Sequence, residues 1–184
     1  MRNKYIVLDL ETNGIGSMNP PMQTITQFAW ILFDEEGKTL DYGNDIVLGA
    51  TEVKAFYDNA LSVDEINKNG IPLETAFSKM IVHIDKTTTL YAHNADFDIG
   101  LIKYAGLELP KVKIVCTMKK SINFCQMPKT GIAALKYPGY KYPRLSELAS
   151  KLKLKIDESK LHDALYDCEV TKMCVIEGKK FNFY

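Results

Sequence analysis

Apolar residues occur along this chain in two periods, and the places where one gives way to the other mark its elements. Val7-Leu8-Asp9-Leu10-Glu11 is an apolar stretch that becomes alternating, and Thr24 to Phe33 is a run of β-branched and aromatic residues. Both read as strands. Asp34-Glu35-Glu36-Gly37-Lys38 supplies turn chemistry, and Thr39 to Leu48 follows as a third strand, so the chain opens as an antiparallel meander. From Thr51 to Ile84 the pattern is helical: Ser62-Val63-Asp64-Glu65 has the form of a capping box and Pro72-Leu73-Glu74 that of a helix start, which predicts two or three helices. Thr88 to Ala92 is a fourth strand, Ala95 to Tyr104 a helix stopped by Gly106, and Lys113 to Thr117 a fifth strand. After a Lys, Tyr, Gly and Pro loop over Met127 to Pro143, Leu145, Leu148, Ala149 and Leu152 recur at helical spacing, and a last helix runs from about Asp163 to about Glu177.

Antiparallel strands followed by strands alternating with helices predict an α/β fold in three layers, a mixed five-stranded sheet flanked by helices. A chain of 184 residues with 46% hydrophobic positions is long enough for one well-buried core, so residues 1–184 are expected to form a single domain. No apolar run approaches the length that spans a bilayer, and Met1-Arg2-Asn3-Lys4 leads into a strand rather than a signal peptide. The expectation is a soluble, intracellular, cytoplasmic protein without a membrane partner. Cys116, Cys125, Cys168 and Cys174 lack zinc-site pairing and are too sparse for a disulfide framework, so they are expected to be reduced.

The formal net charge of zero hides an asymmetry. Residues 1–100 carry 7 Lys/Arg against 15 Asp/Glu, whereas residues 101–160 carry 13 against 4. An acidic half beside a basic segment suits a metal-binding pocket next to a phosphate-attracting surface, although solvated faces of mixed charge have the same composition.

Chemistry gathers at three places. Asp9 and Glu11, two apart on a strand, project the same way, and two converging carboxylates raise a pKa or recruit a cation unless the strand runs out into solvent. Asn94 and Asp98, four apart, are expected to share a helical face, with Asp98 facing the first pair and Asp96 pointing elsewhere near the helix N-terminus. In Leu161-His162-Asp163-Ala164-Leu165-Tyr166-Asp167, Asp163 can cap the last helix, His162 sits in the junction before it, and Asp167 lies on its first turn.

These motifs, Asp9-Leu10-Glu11-Thr12, His93-Asn94-Ala95-Asp96-Phe97-Asp98 and His162-Asp163-Ala164-Leu165-Tyr166-Asp167, resemble in order, spacing and context those of the DEDDh 3′-to-5′ exonucleases, whose fold is ribonuclease H-like. The resemblance covers nearly the whole chain. It implies two divalent cations, Mg²⁺ or Mn²⁺, with Asp9 bridging both, Glu11 and Asp167 completing the water-activating site, Asp98 holding the second ion, and His162 as general base. It further implies substrate contacts from Leu10, Thr12, Asn94 and Phe97, while His93 is read as a scaffold hydrogen-bonder rather than a ligand. The implied reaction removes nucleoside 5′-monophosphates from the 3′ end of single-stranded DNA, in proofreading or repair. RNA ends or short oligoribonucleotides are the alternative substrate, and a non-catalytic module of a replication or repair assembly is the alternative of another class. The family includes polymerase subunits and homodimers, so a polymerase or replication partner and a second copy are both candidate partners. Lys129 to Arg144 interleaves cations and aromatics as single-strand binding surfaces do, yet the same residues could pack on the protein; Phe181 to Tyr184 is a further candidate contact.

Overall fold

The computed structural model describes residues 3–14, 24–54, 60–131, 136 and 138–184. Its sheet has the strand order β3-β2-β1-β4-β5, where β1 is Lys4–Thr12, β2 Ile25–Phe33, β3 Thr39–Ile46, β4 Thr88–Ala92 and β5 Lys113–Cys116. β1 pairs antiparallel with β2 and β2 with β3, while β4 runs parallel to both β1 and β5. This is the mixed sheet the sequence pattern predicts, with β1 at its centre.

Among the described residues, the α-helices include α1 (Val63–Asn69), α2 (Leu73–Ile81), α3 (Ala95–Tyr104), α4 (Thr117–Lys120), α5 (Ile122–Cys125), α6 (Leu145–Lys151) and α7 (Ala164–Lys179), with a 3₁₀ turn at Glu158–Lys160 before α7. The capping box of α1 is formed: the Glu65 backbone donates to Ser62 Oγ at 3.3 Å and the Ser62 backbone to Glu65 Oε2 at 2.9 Å. α4 and α5 follow β5 where the sequence pattern announces no helix, because two single-turn helices are too short to show a period.

Alternation along β1 separates two cores. Ile6, Leu8 and Leu10 face one side with Phe28, Trp30 and Leu32 of β2, and pack on Phe77 and Met80 of α2 and on Leu101 and Ile102 of α3. Val7 faces the other side with Ala29, Ile31 and Phe33, against Ala164, Cys168 and Val175 of α7. A third cluster joins α5, α6 and α7 through Cys125, Leu148, Val170 and Cys174. The layers are thus helix, sheet and helix, and all four cysteines are free. No described helix is long and apolar enough to cross a membrane.

Phe181 to Tyr184 is largely occupied within the fold. Phe183 stacks on Phe124 at 4.7 Å between ring centroids, and Tyr184 meets Tyr91 edge-on at 5.9 Å. Gly178 admits them: a Cβ there would lie 2.3 Å from the Tyr184 ring. As a contact for a partner the segment therefore keeps its exposed residues Phe181 and Asn182, and Phe181 also packs on Phe124 at 5.1 Å.

Candidate active site

β1 delivers Asp9 and Glu11 to the sheet's carboxyl end on the α7 side, in line with the Val7 core. Opposite Glu11, β2 presents Gln27, and the pairing slips between Glu11 and Thr12, a bulge at the place where the strand enters the cleft. Asp98 arrives from the other side. β4 ends at Ala92, and the chain turns through Asn94, held at φ 75°, into α3, whose first turn aims Asp98 back at β1. Asn94 therefore stands at the N-cap position in a left-handed conformation, without a side-chain capping bond, instead of sharing an α-helical face with Asp98; asparagine tolerates this conformation better than most residues. The Leu10 backbone amide acts on the Asp98 carboxylate and favours its charged form, so the second motif is coupled electrostatically to the first.

The third motif enters at the start of α7. Asp163 caps the helix, Oδ1 accepting the Tyr166 N–H at 2.9 Å, and His162 before it adopts φ 68°. A left-handed histidine is a strained conformation held by its surroundings. Here the His162 backbone N–H donates to Asp167 Oδ2 at 3.3 Å, so the junction and the carboxylate fix one another. As a result Asp9, Leu10, Glu11, Thr12, Asn94, Phe97, Asp98, His162 and Asp167 all line one cleft of about 460 Å³. The structure brings together every site residue singled out in the sequence; Leu10 does so from a side chain seated in the core.

Electrostatics of the cleft are those of crowded, buried acids. Asp9 is pushed well above the usual carboxylate range by burial and by the charges of Asp98, Asp167, Glu11 and Asp163. Burial raises Asp98 to about 8, against the opposing pull of its own backbone amide and that of Leu10. Glu11 and Asp167 both rise to about 7, mainly through burial, with neighbouring carboxylates adding to it. One oxygen of Asp98 and one of Asp167 are buried without a hydrogen-bond partner. Orphaned acceptors in a cluster of like charge are unfavourable unless a cation completes them. Oxygens of Glu11 and Asp167 and a ring nitrogen of His162 lie within 4.8 Å of one another, a spacing one ion can span. The donor set is hard and oxygen-rich, and it fits divalent cations of the Mg²⁺ or Mn²⁺ kind.

His93 belongs to the scaffold, as its sequence reading has it. Its ring nitrogens lie 2.9 Å from Thr117 Oγ1 and 3.1 Å from the Pro143 carbonyl, and burial lowers its pKa to about 4. It therefore stays neutral and pins α4 and the segment before α6 to the end of β4. His83 lies 3.1 Å from Asp41 and packs on Trp30, away from the cleft. The Lys129 to Arg144 loop lies partly outside the described residues; within them, Lys141 pairs with Glu147 at 2.6 Å.

Gln27 and Lys54 are among the cleft residues that escape sequence reasoning. Gln27 is buried in β2, and its side-chain oxygen accepts the Ala164 N–H at 3.2 Å while its amide donates to Asn44 at 2.8 Å and Asp163 at 3.4 Å. It clips the start of α7 to the sheet. Lys54 lines the cleft from a segment whose backbone N–H donates to the Asn13 carbonyl at 2.9 Å. A glutamine inside an apolar strand is a readable anomaly; a lysine in a loop carries no such signal.

Comparison with known proteins supplies the family. The exonuclease family model RNase_T matches residues 6–173. The 3′-5′ exonuclease DinG of Bacillus subtilis (strain 168) is 25% identical over 183 residues, which cover 96% of this chain and 18% of DinG. DNA polymerase III PolC-type of Streptococcus pyogenes serotype M1 is 28% identical over 174 residues, 91% of this chain and 10% of that protein. The chain thus spans less than a fifth of the length of these relatives. Among solved structures, exonuclease X in complex with 5′ overhanging duplex DNA superposes with TM-score 0.65 at 20% identity, over 98% of this chain and 93% of that one. E. coli exonuclease I in complex with a dA16 oligonucleotide gives 0.66 at 18% identity, over 97% and 41%. These neighbours share the ribonuclease H-like fold. Matched over most of its length, the chain belongs to the RNase_T exonuclease family.

Proposed function

We propose that residues 1–184 form one exonuclease domain that hydrolyses the phosphodiester bond at the 3′ end of single-stranded DNA and releases nucleoside 5′-monophosphates. The observation that carries this reading is the convergence of Asp9, Glu11, Asp98, His162 and Asp167, from three distant segments, in one cleft. Asp9, Glu11, Asp98 and Asp167 would hold two divalent cations, Mg²⁺ or Mn²⁺, which would supply charge stabilisation at the attacking and leaving oxygens.

The remaining steps fall to the chain itself. Burial holds the His162 pKa below its ordinary value, so the imidazole is neutral at pH 7 and takes the proton of the attacking water. Attack on phosphorus breaks the bond to the O3′ of the preceding nucleotide, and that oxygen takes a proton from solvent, which leaves a shortened strand with a free 3′-hydroxyl. Leu10 and Thr12 line the cleft where β1 ends, Asn94 and Phe97 line it where α3 begins, and these four would seat the terminal nucleotide. The DNA-bound neighbours support DNA as substrate, and the PolC-type relative supports a setting in replication or repair beside a polymerase.

The test incubates the purified chain with 5′-labelled single-stranded DNA and RNA oligonucleotides in Mg²⁺, Mn²⁺ or chelator. A DNA ladder shortening from the 3′ end, abolished by chelation, is the expected result. Internal cuts, or full activity in chelator, would overturn the mechanism, and faster shortening of RNA would overturn the choice of DNA.

A further inference from the structure

The first turn of α3 has two sides, and only one faces the cleft. Its other side, with β5 and α4, borders an open groove of about 620 Å³ containing Lys103, Lys119 and Lys120. All three lysines are exposed. Asp96, at the groove's near end, pairs with Lys119, whereas Lys103 and Lys120 take no ion-pair partner among the described residues. The floor is apolar: Ile99, and Ile114, which is 42% exposed. Ile99, Lys103 and Ile114 also border the next concavity, of about 470 Å³, so the groove continues past Lys111.

We propose that this groove carries the phosphates of the single strand upstream of the nucleotide being removed, a reading that rests on the exonuclease function proposed above. Charge is the first argument. A cleft built from clustered carboxylates repels a polyanion wherever bound cations do not neutralise it, so affinity for the rest of the strand must come from elsewhere. The groove supplies the opposite sign one helix face away. Continuity is the second: Asn94, Phe97 and Asp98 line the cleft, while Ala95, Asp96 and Ile99 line the groove, so a strand leaving one enters the other across a single helical turn. Shape is the third, because an open cationic channel with an apolar floor suits backbone phosphates above and sugar or base faces below.

The experiment compares the full chain with Lys103→Ala/Lys120→Ala, and with Lys153→Ala/Lys155→Ala as a control of equal charge loss. kcat/KM in Mg²⁺ is measured on a dinucleotide and on an oligonucleotide of about ten nucleotides, a length that fills a single-strand channel. For the groove variant, kcat/KM on the longer substrate is expected to fall on the order of tenfold, and the slope of log kcat/KM against log salt to flatten by about 1.4, that is about 0.7 per phosphate contact. Dinucleotide cleavage and the control variant should match the parent chain. Anisotropy of the labelled oligonucleotide reads the groove without cleavage: equal binding by parent and groove variant overturns the groove. An equal loss on both substrates also overturns it, since the lysines would then act on the cleft. Failure of the parent chain to cleave either substrate overturns the exonuclease reading instead.

Discussion

Asp98 and Asp96 are two residues apart on one helix turn and live in opposite electrostatic worlds. Asp98 is 2% exposed, raised in pKa by burial, and has an oxygen without a partner. The Asp96 side chain is 70% exposed and neutralised by Lys119. Two positions on an α-helix differ by about 200° in direction, enough to send one carboxylate into a cation-demanding cleft and the other to the rim of a basic groove. Burial, rather than residue type, sets these two carboxylates apart: an acid that water can solvate carries its charge at little cost, whereas a buried one is held protonated or calls for a compensating cation.

Substitution of each acid tests that contrast most severely. Asp98→Ala should lower kcat/KM by about 10³-fold or more, whereas Asp96→Ala should leave dinucleotide cleavage within about twofold, both read in single-turnover assays. Equal losses would mean that exposure does not distinguish the two. For His162→Ala a drop in kcat of about 10²- to 10⁴-fold is expected with Mn²⁺ binding by calorimetry largely retained, and loss of metal binding would make the imidazole a ligand instead of a base.

Gln27→Ala probes the support beneath the cleft. With Asn44, Asp163 and the Ala164 N–H losing a shared partner, stability in urea should fall by about 1–3 kcal/mol, and kcat should fall further than KM rises because the α7 start drifts from β1. The same buried acids also predict a pH dependence. Glu11, Asp98 and Asp167 all titrate higher in the folded chain than in an unfolded one, so the folded state holds extra protons between about pH 4 and about pH 8. In chelator, stability should be greatest at the acid end of this window and decline as pH rises through it. Scanning calorimetry should register about 2–4 °C of Tm for each kcal/mol lost. Added Mg²⁺ should restore more at pH 8 than at pH 5, since the ligands must be deprotonated to bind it.

Much of the fold is legible in the order of hydrophobic periods. β2 is buried at every position and reads as a strand from its β-branched and aromatic run, and α1 announces itself through Ser62 and Glu65. α4 and α5 were not legible because four residues cannot establish a helical period. For the site, alternation along β1 already placed Asp9 and Glu11 together. The left-handed backbone at Asn94 and His162 is beyond reach, since these residue types tolerate positive φ without requiring it and tertiary contacts select it.

Local chemistry along the chain determined which residue types arrive at the ends of which elements: two carboxylates on β1, one on the first turn of α3, and a histidine and an aspartate at the start of α7. Those are matters of spacing, and spacing is written in one dimension. Tertiary structure alone decided that the three sets share one cleft, that Gln27 holds α7 against the sheet, and that lysines from α3 and α4 border a single groove. The reason is that strand order and helix packing bring together residues whose separation along the chain says nothing about their separation in space, and burial, which sets the pKa of every acid in the cleft, exists only after that assembly.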